Sequence, residues 1–313
     1  VINFRYHVVS LTAVFLALAI GLVVGTAALN GPVSENLKNR LTELNKDNNV
    51  KRDQVNQYKD ELSRNQEFAG GIAPYVLAGK LTARKVAVVG LPGAKDSVEG
   101  VVKMLNVAGA TITARVTFED KLIDPNFANE LLDLADQSSQ PTIGAVGLPQ
   151  NSDGVETASA LLALTLQSST APATPAAPGD VTAVLTAFTK AGYISVDDDA
   201  VGGAEVVVLV AGAPATDQDA SKKAANNVKV ADQFSKNHRP LVVAGDSAGD
   251  SNLVAAVRSD PTLVKEISTV DNVSTVQGQV VTAMATHERL VLSRIGQYGL
   301  AAGATSVVPS AGP

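Results

Sequence analysis

The chain has 313 residues, a formal net charge of −6, no cysteine and no tryptophan, with 45% hydrophobic and only 18% charged residues. The lack of cysteine excludes a disulfide framework and a thiolate metal centre, and a mildly acidic chain without a basic stripe argues against nucleic acid as a partner. The three histidines and two methionines, His7, His238, His287, Met104 and Met284, are scattered, so no cluster of soft donors marks a copper site.

The first element is the uncharged run Val8 to Leu29. At 1.5 Å per residue it reaches about 33 Å as a helix, enough to cross a hydrocarbon core of about 30 Å. Thr26-Ala27-Ala28 has the look of a cleavage site, but the apolar run exceeds the roughly 7 to 15 residues of a signal peptide core. The reading is therefore a retained transmembrane helix, preceded by a short tail over 1–7. Ala13, Ala17, Gly21 and Gly25 recur at every fourth position and form a small-residue stripe through which two spans can pack closely. Charge leaves the orientation open, because Arg5 precedes the span while Lys38 and Arg40 soon come after it.

Over 30–69 the polarity rises and a heptad pattern appears. Leu41, Asn48, Val55 and Leu62 take a positions, while Leu37, Leu44, Lys51, Tyr58 and Asn65 take d positions. A buried Asn at a favours two strands, and Asp47 with Arg52 can pair from g to e, so a parallel homodimeric coiled coil is expected. At helical rise it would hold the rest of the chain about 50 Å from the bilayer. Two alternatives stay open: an amphipathic helix packed on its own domain, or a polar seam that opens for another chain's helix.

Gly70-Gly71 and Pro74 read as a break, with a connector over 70–84. From Lys85 strand and helix signals alternate: strands at 85–90, 111–118, 193–196, 205–211 and 240–244, and helices at 98–107, 127–135, 158–166, 181–189 and 217–237. Thr170 to Gly179 reads as a Thr/Ala/Pro linker. Continuous apolar strands between helices predict a mostly parallel, Rossmann-like α/β domain over 85–313, its sheet covered on both faces.

Three features of this domain could carry chemistry. Gly245-Asp246-Ser247-Ala248-Gly249 follows a strand and matches a nucleophile elbow, with Asp271 and His287 in hydrolase order. A serine hydrolase would need His287 as base for Ser247 and Asp271 to orient the imidazole. Asp250-Ser251-Asn252, however, reads as a fresh N-cap after a tight turn, no His-Gly-Gly oxyanion sequence occurs, and the reading is of a non-enzyme. Glycine loops can also cradle phosphate, but neither a Walker A motif nor a dinucleotide fingerprint is present. Asp197-Asp198-Asp199 lacks the alternating ligands of a calcium loop and reads as a solvated turn.

The block Arg5-Tyr6-His7-Val8-Val9-Ser10-Leu11-Thr12-Ala13-Val14-Phe15-Leu16-Ala17-Leu18-Ala19-Ile20-Gly21, with Glu266-Ile267-Ser268-Thr269-Val270-Asp271 and Gly296-Gln297-Tyr298-Gly299, resembles the actinobacterial SteB/MctB family over essentially the whole chain. Its mycobacterial members carry a copper-transport label, and its corynebacterial branch, the nearer of the two, is linked to cell separation. The resemblance implies a single-pass plasma-membrane protein with a cytoplasmic N-terminus, an exported coiled coil and an exported α/β head. It implies a non-catalytic scaffold with no cofactor, in which Asn3, Phe4, Arg5, Tyr6 and His7 face a cytosolic or membrane-associated SteA-like partner. The outer helices would meet a RipA-like peptidoglycan hydrolase. Copper transport or efflux of the MctB type is the alternative, and a hydrolase using Ser247 the third. Val1 in first place reads as a start codon translated literally.

Overall fold

A computed structural model describes residues 4–30, 32–143, 148–168, 176–197, 200–246 and 251–310. The chain divides into two compact units, one ending at Asn65 and one beginning at Gln66. In the first, helix α1 covers Phe4–Asn30. Helix α2, Pro32–Leu77, begins there with a proline at its first position, where the missing N–H has no intrahelical role. Thr12 and Thr26 sit inside the apolar α1, and their hydroxyls donate to Val8 O and Leu22 O of the preceding turn, which leaves neither group unpaired in an apolar surrounding.

α2 does not end at the Gly70-Gly71 pair. It runs on to Leu77 with Pro74 inside it, so the connector expected over 70–84 is helical for its first half. Ala69, Ala73 and Leu77 recur at every fourth position and are buried in the second unit. Burying a leucine contributes about 1.5–3 kcal/mol and the alanines add to it, which offsets roughly 1 kcal/mol of lost propensity per glycine. Tertiary packing thus overrides a local breaker signal.

The rest of the second unit alternates strands and helices: β1 (Lys85–Gly90), α3 (Lys95–Val107), β2 (Thr111–Phe118), α4 (Asp120–Ile123), α5 (Ala128–Ser138), α6 (Gly154–Leu166), α7 (Pro178–Lys190) and β3 (Ile194–Val196). It continues with β4 (Val206–Val210), α8 (Ala220–Ser235), β5 (Leu241–Ala244), α9 (Leu253–Ser259), β6 (Ser268–Val270), α10 (Val276–Val291) and β7 (Gln297–Tyr298). Among the described residues seven strands form one sheet in the order β3-β2-β1-β4-β5-β6-β7. All neighbours run parallel except β3, which pairs antiparallel with β2 and closes one edge. Strand order therefore runs one way from β1 through β2 and the other way from β4 through β5.

Both faces are covered, which explains the unbroken apolar strands. Ala87, Val89, Val207, Leu209 and Val243 point into one core with Phe118, Leu161, Phe188 and Phe234. Val86, Val88, Val206, Val208 and Val242 point into the other with Leu77, Val101, Leu105 and Val281. α6 is buried over most of its surface, packed among α5, α7 and α8. Gly154 opens it where a Cβ would collide with Ala128 O, so only glycine lets the two helices approach this closely.

β6 and β7 were not expected from the sequence, being short and polar. Their anchor is Arg258 on α9, whose Nη1 donates to Asp271 Oδ2 at 2.7 Å, Nε to Thr269 Oγ1 at 2.8 Å and Nη2 to Tyr298 O at 2.7 Å. Asp271 also accepts from the backbone N–H of Leu300 and Ala301 at 2.7 and 3.0 Å, so both ions are buried and fully engaged. Two substitutions test these arrangements. Gly71→Ala, where an added methyl meets nothing within 4 Å, should raise the unfolding free energy by about 0.5–1 kcal/mol in denaturant titrations if the helix is continuous. Asp271→Ala should lower it by about 3–5 kcal/mol, because Arg258 would be left buried without its counter-ion.

Candidate functional site

The stripe residues Ala13, Ala17, Gly21 and Gly25 all lie on α1, and a Cβ added at Gly21 or Gly25 would meet nothing within 4 Å. Phe4, Arg5, Tyr6 and His7 form the first turns of α1 rather than a separate tail, while Asn3 lies outside the described residues. The helix from Phe4 to Ala27 is long and apolar enough to cross a membrane. On α2, Leu37, Leu41, Leu44, Val55, Tyr58 and Leu62 are each at least half exposed, and Asn48 is exposed among them. These positions thus share one helix, and each is exposed.

In the second unit the loops after β1 and β4 meet at the carboxyl edge of the sheet. Gly93 holds a left-handed backbone (φ 78°), and a Cβ on Gly212 would collide with Pro92 O, so the loops touch backbone to backbone. Beside them opens a crevice of about 230 Å³ whose lining includes Gly93, Asp120, Gly212, Lys223 and Asn227. Lys223 is buried and its Nζ donates to Asp120 Oδ2 at 2.6 Å and Asp217 Oδ2 at 2.8 Å. Those bonds hold the ammonium in its charged form well above the usual lysine range, and the bond from Lys223 holds the Asp217 carboxyl below its usual range. No sequence motif marked this cluster, since Asp120 lies 103 residues from Lys223 and joins Lys223 and the nearby Asp217 only through the fold.

The hydrolase constellation is not assembled by the described residues. Ser247 lies outside them, and so do Ala248 to Asp250. Asp271 is taken up by Arg258 and two backbone N–H groups, while His287 lies on α10 in a different pocket, lined by Val76, Lys80, Met284 and Glu288. Asn252 does cap α9, its Oδ1 accepting from Ala255 N at 2.8 Å, as the reading of a fresh helix start predicts. Asp197 pairs with Arg115 at 3.4 Å, and Asp198 and Asp199 are outside the described residues, as is Thr170 to Pro175 of the expected linker.

Among the described residues no group of three His, Cys, Asp or Glu could hold a metal ion. The fold does bring Met284 and His287 into one pocket of about 170 Å³, but Lys80 lines it too. Burial, with the Lys80 charge second, pushes the imidazole below its usual pKa. Below about pH 6.5 the unfolded chain therefore binds more protons than the folded one, and stability falls with acidification. His287→Gln should reduce the loss of melting temperature between about pH 7 and pH 5, and should leave the loss below about pH 4, where the carboxylates protonate, unchanged.

A family model described as "Copper transport outer membrane protein, MctB" matches residues 1–309. Among curated proteins the chain is similar to "Copper transporter MctB" of Mycobacterium leprae (strain TN), 30% identical over 315 residues and 98% of each chain. It is likewise similar to "Copper transporter MctB" of Mycobacterium tuberculosis (strain ATCC 25618 / H37Rv), 28% identical over 314 residues and 99% of each chain. With a match from the first residue of the apolar helix unit to the last strands of the sheet, the chain belongs to the MctB family.

Proposed function

We propose that this protein is a non-catalytic, single-pass scaffold of the plasma membrane that serves cell separation. Its short N-terminal segment meets a cytosolic SteA-like partner, and its coiled coil and head regulate an extracytoplasmic RipA-like peptidoglycan hydrolase. One observation carries the reading: the apolar positions Leu37 to Leu62 of α2 stay exposed on a helix of 46 residues, whereas the head buries its own apolar residues on both faces of the sheet. An amphipathic helix with an uncovered seam is a surface for another helix. A second copy of the chain supplies the first such helix, in register through Asn48, with the α1 stripe packing on the same two-fold axis. The branch resemblance, Arg5 to Gly21 above all, supplies the partners and the cytoplasmic placement of the N-terminus.

A second reading, copper transport, rests on the names of the relatives. Met284 and His287 in one pocket are the soft donors it would use, and the Lys80 ammonium beside them opposes a cation there. Deletion separates the two readings: the scaffold predicts chained, unseparated cells with unchanged copper tolerance, and the transporter predicts the reverse. Leu41→Asp with Leu44→Asp should give the deletion's separation defect while the protein still reaches the membrane, and cysteine at position 41 or 55 should yield symmetric crosslinks in membranes. Normal separation in the double variant would remove the seam from the mechanism.

A further inference from the structure

Where α2 joins the head, three large apolar side chains stay in solvent: Phe68 is 72% exposed, Ile72 39% and Tyr75 89%. They are spaced four and three apart, so they line one face of the helix. Another side of the same turns is taken, since Ala69, Ala73 and Leu77 are buried in the head. Single exposed apolar residues are ordinary on a surface, whereas a contiguous group marks an interaction site. The heptad count continues into this segment. Ile72 falls at d, in series with Leu37, Leu44 and Tyr58, while Phe68 and Tyr75 fall at g, a position that usually carries Glu or Lys. The a position of this last heptad, Ala69, is closed by the chain's own head, and the exposed apolar residues lie at d and g instead.

Area decides what can cover this face. A covered aromatic side chain buries about 150–250 Å², so Phe68 and Tyr75 of two copies supply about 600–1,000 Å², below the roughly 1,200–2,000 Å² of a stable interface. A free partner would find too little here. A second chain already paired along Leu37 to Leu62 would instead bring the same face up at high effective concentration. The connection is one unbroken helix, so no loop intervenes to lose the register. We propose that two copies of this chain meet at their heads through Phe68, Ile72 and Tyr75, each residue near its own counterpart across a two-fold axis. This rests on the homodimer reading above and extends it from the exposed heptads of α2 to the head, so that a partner meets two heads in fixed register.

The chain has no cysteine, so single cysteines report the contact in the full-length protein in membranes. Val55→Cys, Ile72→Cys and Glu67→Cys are oxidised under identical conditions, Glu67 being an exposed f position away from the seam. Val55→Cys and Ile72→Cys should each give a symmetric disulfide-linked dimer at least about tenfold faster than Glu67→Cys. Phe68→Ser with Tyr75→Ser, both at exposed positions, should slow crosslinking of Ile72→Cys at least about tenfold and leave that of Val55→Cys within about twofold. Crosslinking of Val55→Cys alone would overturn the head contact and leave the homodimer standing, whereas crosslinking of neither would remove both. An Ile72→Cys adduct to a different protein in place of the symmetric dimer would give the face to another occupant and overturn the proposal. An unchanged Ile72→Cys rate in the Phe68 and Tyr75 double variant would overturn it as well.

Discussion

The parallel sheet must be covered on both faces, and the rest of the structure depends on how that cover is supplied. Each central strand sends alternate residues to opposite sides, and both sets are buried valine, alanine and leucine. One face is closed by α5 to α9. The other is closed by α3, α10 and the last turns of α2, with Ala73 and Leu77 inside its core. The helix that begins next to the apolar N-terminal segment therefore ends as a structural member of the head. Gly70-Gly71 are exposed helix residues within it.

The same requirement decides where polar groups can sit. Strand interiors leave no room for them, so they gather at the sheet's carboxyl edge and at its polar margin. At the margin, Arg258 and Asp271 draw β6, β7 and residues 298–302 together in a buried network in which both ions are satisfied. That network is why Asp271, which stands in hydrolase order behind Gly-x-Ser-x-Gly, orients no imidazole. At the carboxyl edge, Lys223 performs the equivalent role for Asp120 and Asp217, with less burial of the carboxylates, and the result is a crevice instead of a closed lock. Family membership spans both units, so the helical unit and the head are parts of one common design.

Much of this was legible residue by residue. Length and apolarity determined the apolar helix, although it begins at Phe4 instead of Val8, because the backbone hydrogen-bond ladder extends beyond the uncharged run. Periodicity determined the helix that carries Leu37 to Leu62, and continuous runs such as Val86 to Val89 and Val206 to Val210 determined strands buried on two faces. The N-cap at Asn252 was also legible, since its side chain satisfies a donor three residues away.

Only the tertiary structure decided the remainder. A glycine pair followed by proline ends most helices, and here the burial of Ala69, Ala73 and Leu77, which local sequence does not reveal, carried α2 through it. β6 and β7 exist through Arg258, a residue on another element, so their short polar sequences carry no strand signal of their own. The joining of Asp120 with Lys223, and of Met284 with Val76 and Lys80, depends on how separate elements pack in the fold. Local patterns specify the elements because their causes act within a few residues; the sites were decided by packing, which brings together side chains that the chain itself keeps far apart.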